Sequence, residues 1–381
     1  MSAPRLGILG GGQLGRMLAL AAARLGIRCR CWDPSPEAVA GDVAELICAP
    51  FDDARAMETF LAGLEAVTLE FENVPVALVE KLAAKTAMYP GPRALSTGQD
   101  RVAEKTLFNS MGLETPEWRA ADTRESFERA CTELGLPIVA KTRRMGYDGK
   151  GQAVVRRAED VGPAYARLTG EGVEGDETSR RAGLIVEKLV PFTRELSILG
   201  VRGRDGTTAF YPLVENVHRA GMLRRSIAPA PGVDETTEFH ARASIARVMD
   251  ALGYVGVMAV ELFEVGGRLL GNELAPRVHN SGHWTIEGSA SSQFENHVRA
   301  VMGLALGSTA MVAPRATMVN FIGRMPTREL LALPGVAAHD YAKLPRAGRK
   351  VGHATVLSCD PQTPDPRLAE VERLAEAADK G

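Results

Sequence analysis

Residues 260–283 read V-E-L-F-E-V-G-G-R-L-L-G-N-E-L-A-P-R-V-H-N-S-G-H. Two apolar runs, one carrying Glu261 and the other Glu273, flank a Gly266-Gly267 turn. That pattern predicts a β-hairpin, with the two carboxylates side by side on adjacent strands. Like charges so placed repel unless a cation lies between them. Mg²⁺, a hard ion that takes oxygen ligands, is the usual answer when a nucleotide is present. Arg277 and His279 follow at once, so anion-binding groups stand beside the predicted metal. Two solvated acids on a surface hairpin are the plain alternative. The apolar neighbours on both runs favour the functional reading.

The N-terminal part alternates in another way. Residues 6–9 form a short buried strand, 10–15 a glycine turn and 16–25 a helix. A second strand over 27–32 ends at Asp33. A later strand over 66–71 closes on Glu72 before a helix over 76–84. Such βαβ alternation predicts a parallel sheet with helices on both faces. Gly10, Gly12 and Gly15 make a G-x-G-x-x-G after a strand and before a helix, with Asp33 ending the next strand. This is the context of a dinucleotide fingerprint, so an NAD-dependent oxidoreductase is a rival reading. The glycines alone show less: amides that can approach an anion at a helix N-terminus, which any phosphate-bearing ligand would satisfy.

A chain of 381 residues exceeds one small core and predicts two to three domains. A formal charge of −2 argues against a nucleic-acid partner. The five cysteines are odd in number and lack metal-ligand spacing, which predicts reduced thiols. No secretory signal is apparent near Arg5. The apolar run 17–23 lies between Arg16 and Arg24 and falls short of the roughly 20 residues that a membrane helix needs. A cytoplasmic protein with no membrane partner is expected.

Residues 100–111 read as a charged amphipathic helix leading to strands over 137–141, 152–155 and 184–190. Between the first two lies R-R-M-G-Y-D-G-K-G-Q (143–152), a glycine loop suited to folding over phosphates, with Lys141 and Lys150 supplying charge. No Ser or Thr follows the lysine, so it is not a Walker A loop. Glu187, Lys188, Leu189 and Val190 read as a strand end passing into a linker that can offer backbone groups to an adenine edge. Glu195 can take ribose hydroxyls. His218 draws weight only from its neighbours. The basic turn R-A-G-R-K-V-G-H (346–353) is a candidate phosphate clamp, or else a solvated loop. Residues 170–181 read as a polar surface loop. Residues 197–201 predict a strand, 238–252 and 292–302 helices, and 316–381 short strands and loops ending in an acidic helix. Ser-His-Asp, Cys-His and zinc arrangements have no local support.

Lys141, the flap Gly146, Tyr147, Asp148, Gly149, Lys150, Gly151 and Gln152, then Glu187, Glu195, Glu261, Asn272 and Glu273 occur in an order that resembles the ATP-grasp superfamily. Within it, G-G-G-Q-L-G-R-M-L, G-Y-D-G-K-G-Q, N-E-L-A-P-R-V-H-N-S-G-H-W-T and G-R-K-V-G-H resemble the 5-(carboxyamino)imidazole ribonucleotide synthase family over nearly the whole chain. The resemblance implies an ATP-grasp fold of mixed α/β and α+β class. Its expected parts are a Rossmann-like N-terminal domain (1–98), a linker helix and lid (99–187), a catalytic domain (188–315) and a small C-terminal domain (316–381).

The implied reaction joins bicarbonate to 5-aminoimidazole ribonucleotide with ATP, through carboxyphosphate. Glu261 and Glu273, with Asn272, would hold Mg²⁺, for which Mn²⁺ can substitute. Arg101, Lys141 and the flap would neutralise ATP. Glu187, Lys188, Leu189 and Val190 would frame adenine, with Glu195 and His218 also on the nucleotide. Arg277 and His279 would steady bicarbonate and carboxyphosphate, and Tyr147 and Asp148 would meet the imidazole and its amine. Arg349 and Lys350 would clamp the ribonucleotide phosphate, with Gln13 and Leu14 sharing in that and Glu72 lining the pocket. A homodimer is also implied. Two departures from the family pattern are a long loop at 170–181 and Ala347 where proline is expected. A sister ligase, such as a formate-dependent glycinamide ribonucleotide transformylase, is the second rival.

Overall fold

The computed structural model describes residues 5–144, 151–170, 183–360, 363 and 365–380. Its first sheet joins β1 (Arg5–Leu9), β2 (Arg28–Asp33), β3 (Glu45–Cys48), β4 (Ala66–Leu69) and β5 (Ala87–Met88) in the order β3-β2-β1-β4-β5. Every pairing is parallel, as the alternation predicts. Strands of such a sheet are covered on both faces and therefore read as near-continuous apolar runs. Leu6 and Ile8 pack with Leu14 and Leu18 of the helix Gln13–Arg24, while Leu9 packs with Trp32, Phe60 and Leu69 on the other face. Each such side chain contributes about 1.5–3 kcal/mol when fully buried. β4 stops at Leu69, two residues earlier than expected, so Glu70 and Glu72 emerge from the carboxyl edge of the sheet. Ligands of open parallel sheets bind at that edge.

A second, antiparallel sheet holds β6 (Trp118–Ala121), β7 (Ile138–Thr142), β8 (Gln152–Val155) and β9 (Leu184–Lys188) in the order β6-β9-β7-β8. Phe127 and Leu134 of the helix Arg124–Leu134 and Leu168 of Val161–Thr169 close its core against Ile138, Val155 and Val186. Thr123 and Ser126 form a reciprocal capping box at the start of the first of these helices. Gly146, Tyr147, Asp148, Gly149 and Lys150 of the expected flap, and most of the expected loop at 170–181, lie outside the described residues.

The largest sheet contains β10 (Arg194–Arg202), β11 (Thr208–Phe210), β12 (Val214–Arg219), β13 (Met222–Ala228), β14 (Gly256–Val265), β15 (Arg268–Ala275), β16 (Arg315–Gly323), β17 (Val336–Asp340) and β18 (Arg346–Ser358). Its order is β15-β14-β10-β12-β13-β16-β18-β17, with β11 paired to β10. The C-terminal part differs from the short strands expected. β16 and β18 span nine and thirteen residues, and β16 pairs with β13 from Arg225↔Val319 to Ala228↔Ala316. The sheet therefore runs unbroken across residues 315 and 316. The helix Pro366–Lys380 covers this end, setting Val371, Leu374 and Ala378 against Val319, Phe321 and Val356.

Candidate active site

The predicted hairpin is β14–β15. Gly266 and Gly267 both take positive φ (55° and 78°), which a two-residue turn of the tight hairpin type requires at both positions. The register sets Glu261 directly opposite Glu273. It then slips, pairing Leu262 with Gly271, so Asn272 is the extra residue of a bulge. The bulge aims Asn272 back at the acids: its Nδ2 lies 3.5 Å from Glu261, and its Oδ1 lies 3.5 Å from the Lys141 ammonium on β7.

The surrounding charges are unevenly matched. Glu273 has Arg101, at 3.1 Å, from the first turn of the helix Arg101–Ser110. Among the described residues Glu261 has no ion pair with a lysine or arginine; His279 Nε2 is 3.5 Å away, Asn272 makes a long contact, and His218 and Lys350 act on it from farther off. Burial and the facing Glu273 push the Glu261 carboxyl up to about 7. At about 1.4 kcal/mol per unit, ionising it in place costs about 3 kcal/mol more than in water. Among the described residues no group of three His, Cys, Asp or Glu side chains is poised around one ion. A metal at this pair would take its remaining ligands from phosphate and water, which is how magnesium is usually held. Two facing carboxylates are hard donors, and they fit such an ion; the Asn272 amide presents its nitrogen to Glu261 and its oxygen to Lys141.

Lys141 and the buried Glu187 form a second group. Glu187, at the end of β9, lies 3.0 Å from Lys141 and 3.3 Å from Lys105, which is also fully buried. Burial would raise Glu187, but the two ammonium groups reverse that and hold it at about 2. The carboxylate thus positions the two cations. Lys188 donates to the carbonyls of Leu134 and Gly135 (3.0 and 2.8 Å), capping the end of a helix. The amides of Lys188 and Leu189 bond Glu117 and Pro137, which leaves Val190 as the next amide along the linker. Glu195 and His218 pair across β10 and β12 at 3.1 Å. Burial alone would lower His218, and Glu195 outweighs it, raising its pKa.

Arg277 grips Glu72 through two nitrogens, one at 2.9 Å, and bonds the Val278 carbonyl at 3.0 Å. The two residues expected to serve bicarbonate and the substrate pocket therefore serve each other, leaving part of the guanidinium for a ligand. Burial would raise Glu72, and Arg277 instead holds it at about 2. Burial, then Arg277 and Lys350, push His279 down to about 3, so it is neutral at ordinary pH. Lys350 also acts electrostatically on Glu261 and His218, so the basic turn reaches the site. Arg349 bonds the Leu344 carbonyl of its own turn at 3.2 Å. Gln152 begins β8, and Gly151 (φ 73°) bonds back to Thr142 at 2.8 Å, closing the base of the flap.

The glycine turn departs most from expectation. Gly12 and Gly15 donate to the carboxylate of Glu70 (3.0 and 3.1 Å), and Gly11 donates to Asp33 (2.7 Å). A Cβ on Gly12 would stand 2.8 Å from Glu70, so the residue is glycine to admit this side chain. The electropositive helix end holds two of the chain's own acids where a phosphate was expected. Gln13 bonds Lys343, and Leu14 is buried.

Sequence reasoning missed Glu70, Glu104 and Lys105. Glu104 accepts from the Leu274 amide beneath the hairpin, and burial and Glu273 push it up to about 8. Lys105 lies four residues after Arg101 on one helical face, and this spacing could have exposed it.

Three family models match the chain: the ribonucleotide synthetase preATP-grasp domain over 3–99, the ATP-grasp domain over 106–294, and the phosphoribosylaminoimidazole carboxylase C-terminal domain over 316–363. N5-carboxyaminoimidazole ribonucleotide synthase of Pseudomonas aeruginosa is 45% identical over 374 residues, covering 98% of this chain and 100% of the relative. The crystal structure of N5-carboxyaminoimidazole ribonucleotide synthetase from Thermus thermophilus is 50% identical, with a TM-score of 0.90 over 97% and 98% of the two chains. That of N5-carboxyaminoimidazole synthase from Aspergillus clavatus, in complex with ADP and 5-aminoimidazole ribonucleotide, is 27% identical with a TM-score of 0.87 over 98% and 99%. The fold, the carboxylate hairpin and these relatives together place the chain in the N5-carboxyaminoimidazole ribonucleotide synthase family of ATP-grasp ligases.

Proposed function

We propose that the chain carboxylates the exocyclic amine of 5-aminoimidazole ribonucleotide at the expense of ATP, with bicarbonate as the carbon source. The products are N5-carboxyaminoimidazole ribonucleotide, ADP and phosphate, a step of purine biosynthesis. The observation that carries this reading is the Glu261–Glu273 pair, with Lys141 on one side and Arg277, His279 and Lys350 on the other. A nucleotide-phosphate site and an anion site thus adjoin. A nicotinamide cofactor is disfavoured by Glu70 and Asp33 on the glycine amides.

Bicarbonate is a poor electrophile because hydroxide leaves badly. Transfer of the γ-phosphoryl group makes carboxyphosphate, which reacts with the amine directly or releases CO₂ beside it. Catalysis of this type is mostly positioning and charge stabilisation. Glu261 and Glu273 would hold magnesium, which would supply charge to the phosphate oxygens. Lys141, held by Glu187, and Arg101, held by Glu273, steady the nucleotide. The part of Arg277 not engaged by Glu72, with His279, meets the carboxyphosphate oxygens, and Lys350 and Arg349 meet the ribonucleotide phosphate. Tyr147 and Asp148 of the flap are assigned to the imidazole and its amine, and a cytoplasmic homodimer belongs to the same reading.

Phosphate release from Mg-ATP, with and without the ribonucleotide and bicarbonate, tests the proposal. Release that requires the ribonucleotide and rises with bicarbonate above a degassed control is expected. Release driven by formate and glycinamide ribonucleotide would favour the sister ligase. Replacing Asp148 by Ala should spare ATP binding and damage amine carboxylation.

A further inference from the structure

Beneath Glu261 lies a row of polar side chains that the roles above leave unused. Ser197, Ser226 and Ser281 are fully buried and Asn216 is 5% exposed, on or beside strands whose same face also buries Leu199, Val201 and Val214. Burying hydroxyl and amide groups in such surroundings is unfavourable unless each finds a partner. Each does. Ser226 Oγ lies 2.8 Å from Asn216 Oδ1, and Asn216 Nδ2 lies 2.9 Å from Ser197 Oγ. Ser197 Oγ lies 2.8 Å from Ser281 Oγ, which lies 2.9 Å from His279 Nδ1.

The directions of these bonds follow from what each atom can do. The amide N–H of Ser281 also points at His279 Nδ1, at 3.4 Å, and a backbone N–H can only donate. Nδ1 is therefore an acceptor, and Ser281 must donate its own hydroxyl proton to it. With that proton engaged, Ser197 must donate to Ser281, so Asn216 must present nitrogen to Ser197 and oxygen to Ser226. Turning the Asn216 amide over would demand two protons from one hydroxyl and break the row. Gln293 clamps the His279 backbone from both sides, accepting from its N–H (2.8 Å) and donating to its carbonyl (2.7 Å).

We propose that Ser281, Ser197 and Asn216 are positioning residues that lock His279 in the tautomer with its proton on Nε2. His279 then meets the anionic intermediate as a hydrogen-bond donor and does not serve as the base that takes the amine proton. This rests on the function proposed above only for the identity of the anion. The tautomer itself can be read without substrate.

The test is ¹⁵N NMR of histidine-labelled protein at neutral pH, with the His279 signals identified among seven histidines by their loss in His279→Gln. Wild type should show a protonated Nε2 and an unprotonated Nδ1. Ser281→Ala keeps the 3.4 Å backbone N–H on Nδ1 but loses the shorter hydroxyl bond, so a minor fraction protonated on Nδ1 should appear, with about a tenfold fall in kcat, equivalent to about 1.4 kcal/mol, and KM for ATP within about twofold. Ser281→Thr, which keeps the hydroxyl, should restore both. A proton on Nδ1 in wild type would overturn the proposal, as would an unchanged tautomer and kcat in Ser281→Ala. Should wild type show no ribonucleotide-dependent turnover, the function is misread while the tautomer result stands.

Discussion

The glycine turn and the β14–β15 hairpin both gather carboxylates, and the chain treats them oppositely. At the turn, Glu70 and Asp33 accept from the amides of Gly12, Gly15 and Gly11, so each acid has backbone donors inside the fold, although burial outweighs them and still raises the Glu70 carboxyl. At the hairpin, Glu261 faces Glu273 with one arginine between two acids, and the mismatch shows as a Glu261 carboxyl raised to about 7. Acids that meet backbone amides are structure, and two acids set face to face are an invitation to a ligand. The motif most suggestive of a nucleotide in the sequence is the one the fold itself fills.

The largest effect that could break this contrast is at the hairpin. Glu273→Gln should lower ATP turnover by at least about a thousandfold, or about 4 kcal/mol of transition-state stabilisation. A near-normal rate would remove the hairpin from the chemistry. Next in size are the matched acids Glu72 and Glu187. Both are depressed from 4.5 to about 2 in the folded protein, so the stability they contribute is fully present above about pH 4.5 and is lost as pH falls towards 2. Each contributes up to about 3 kcal/mol by linkage. Urea unfolding between pH 6 and 3 should show this loss, and Glu72→Gln should flatten it. An unchanged slope would contradict the pairing with Arg277.

Smaller again is Glu70→Gln. A carboxamide offers one acceptor oxygen and sets its NH₂ against the second amide, so stability should fall by about 1–2 kcal/mol. Turnover per folded molecule should change by less than about threefold, and a collapse would return the glycine turn to the active site. The smallest effect is at Lys188→Met, which removes two bonds to a helix C-terminus and should cost about 0.5–1 kcal/mol of stability.

The hairpin was legible in the sequence because turn chemistry and apolar runs are local, and the parallel sheet because its strands are buried on both faces. β12 and β13 were not, since Asn216, His218, Arg224 and Arg225 interrupt the apolar alternation where strands line the site. β16 was hidden because its partner β13 lies about 90 residues back, beyond any local pattern, and β18 joins the sheet through β16. Arg277 and Glu72 each signalled a role separately, but only the fold joins residues 205 positions apart. Glu70 and Glu72 look alike at the end of β4. What separates them is that one meets backbone amides and the other a guanidinium.

The most direct measurement is the melting temperature of wild type, Glu261→Gln and Glu70→Gln in a non-hydrolysable ATP analogue, as magnesium is titrated in. Wild type and Glu70→Gln should each gain thermal stability with the metal, and Glu261→Gln should gain little. The same metal-dependent gain in Glu261→Gln would show that the hairpin acids do not hold the ion and would contradict the account.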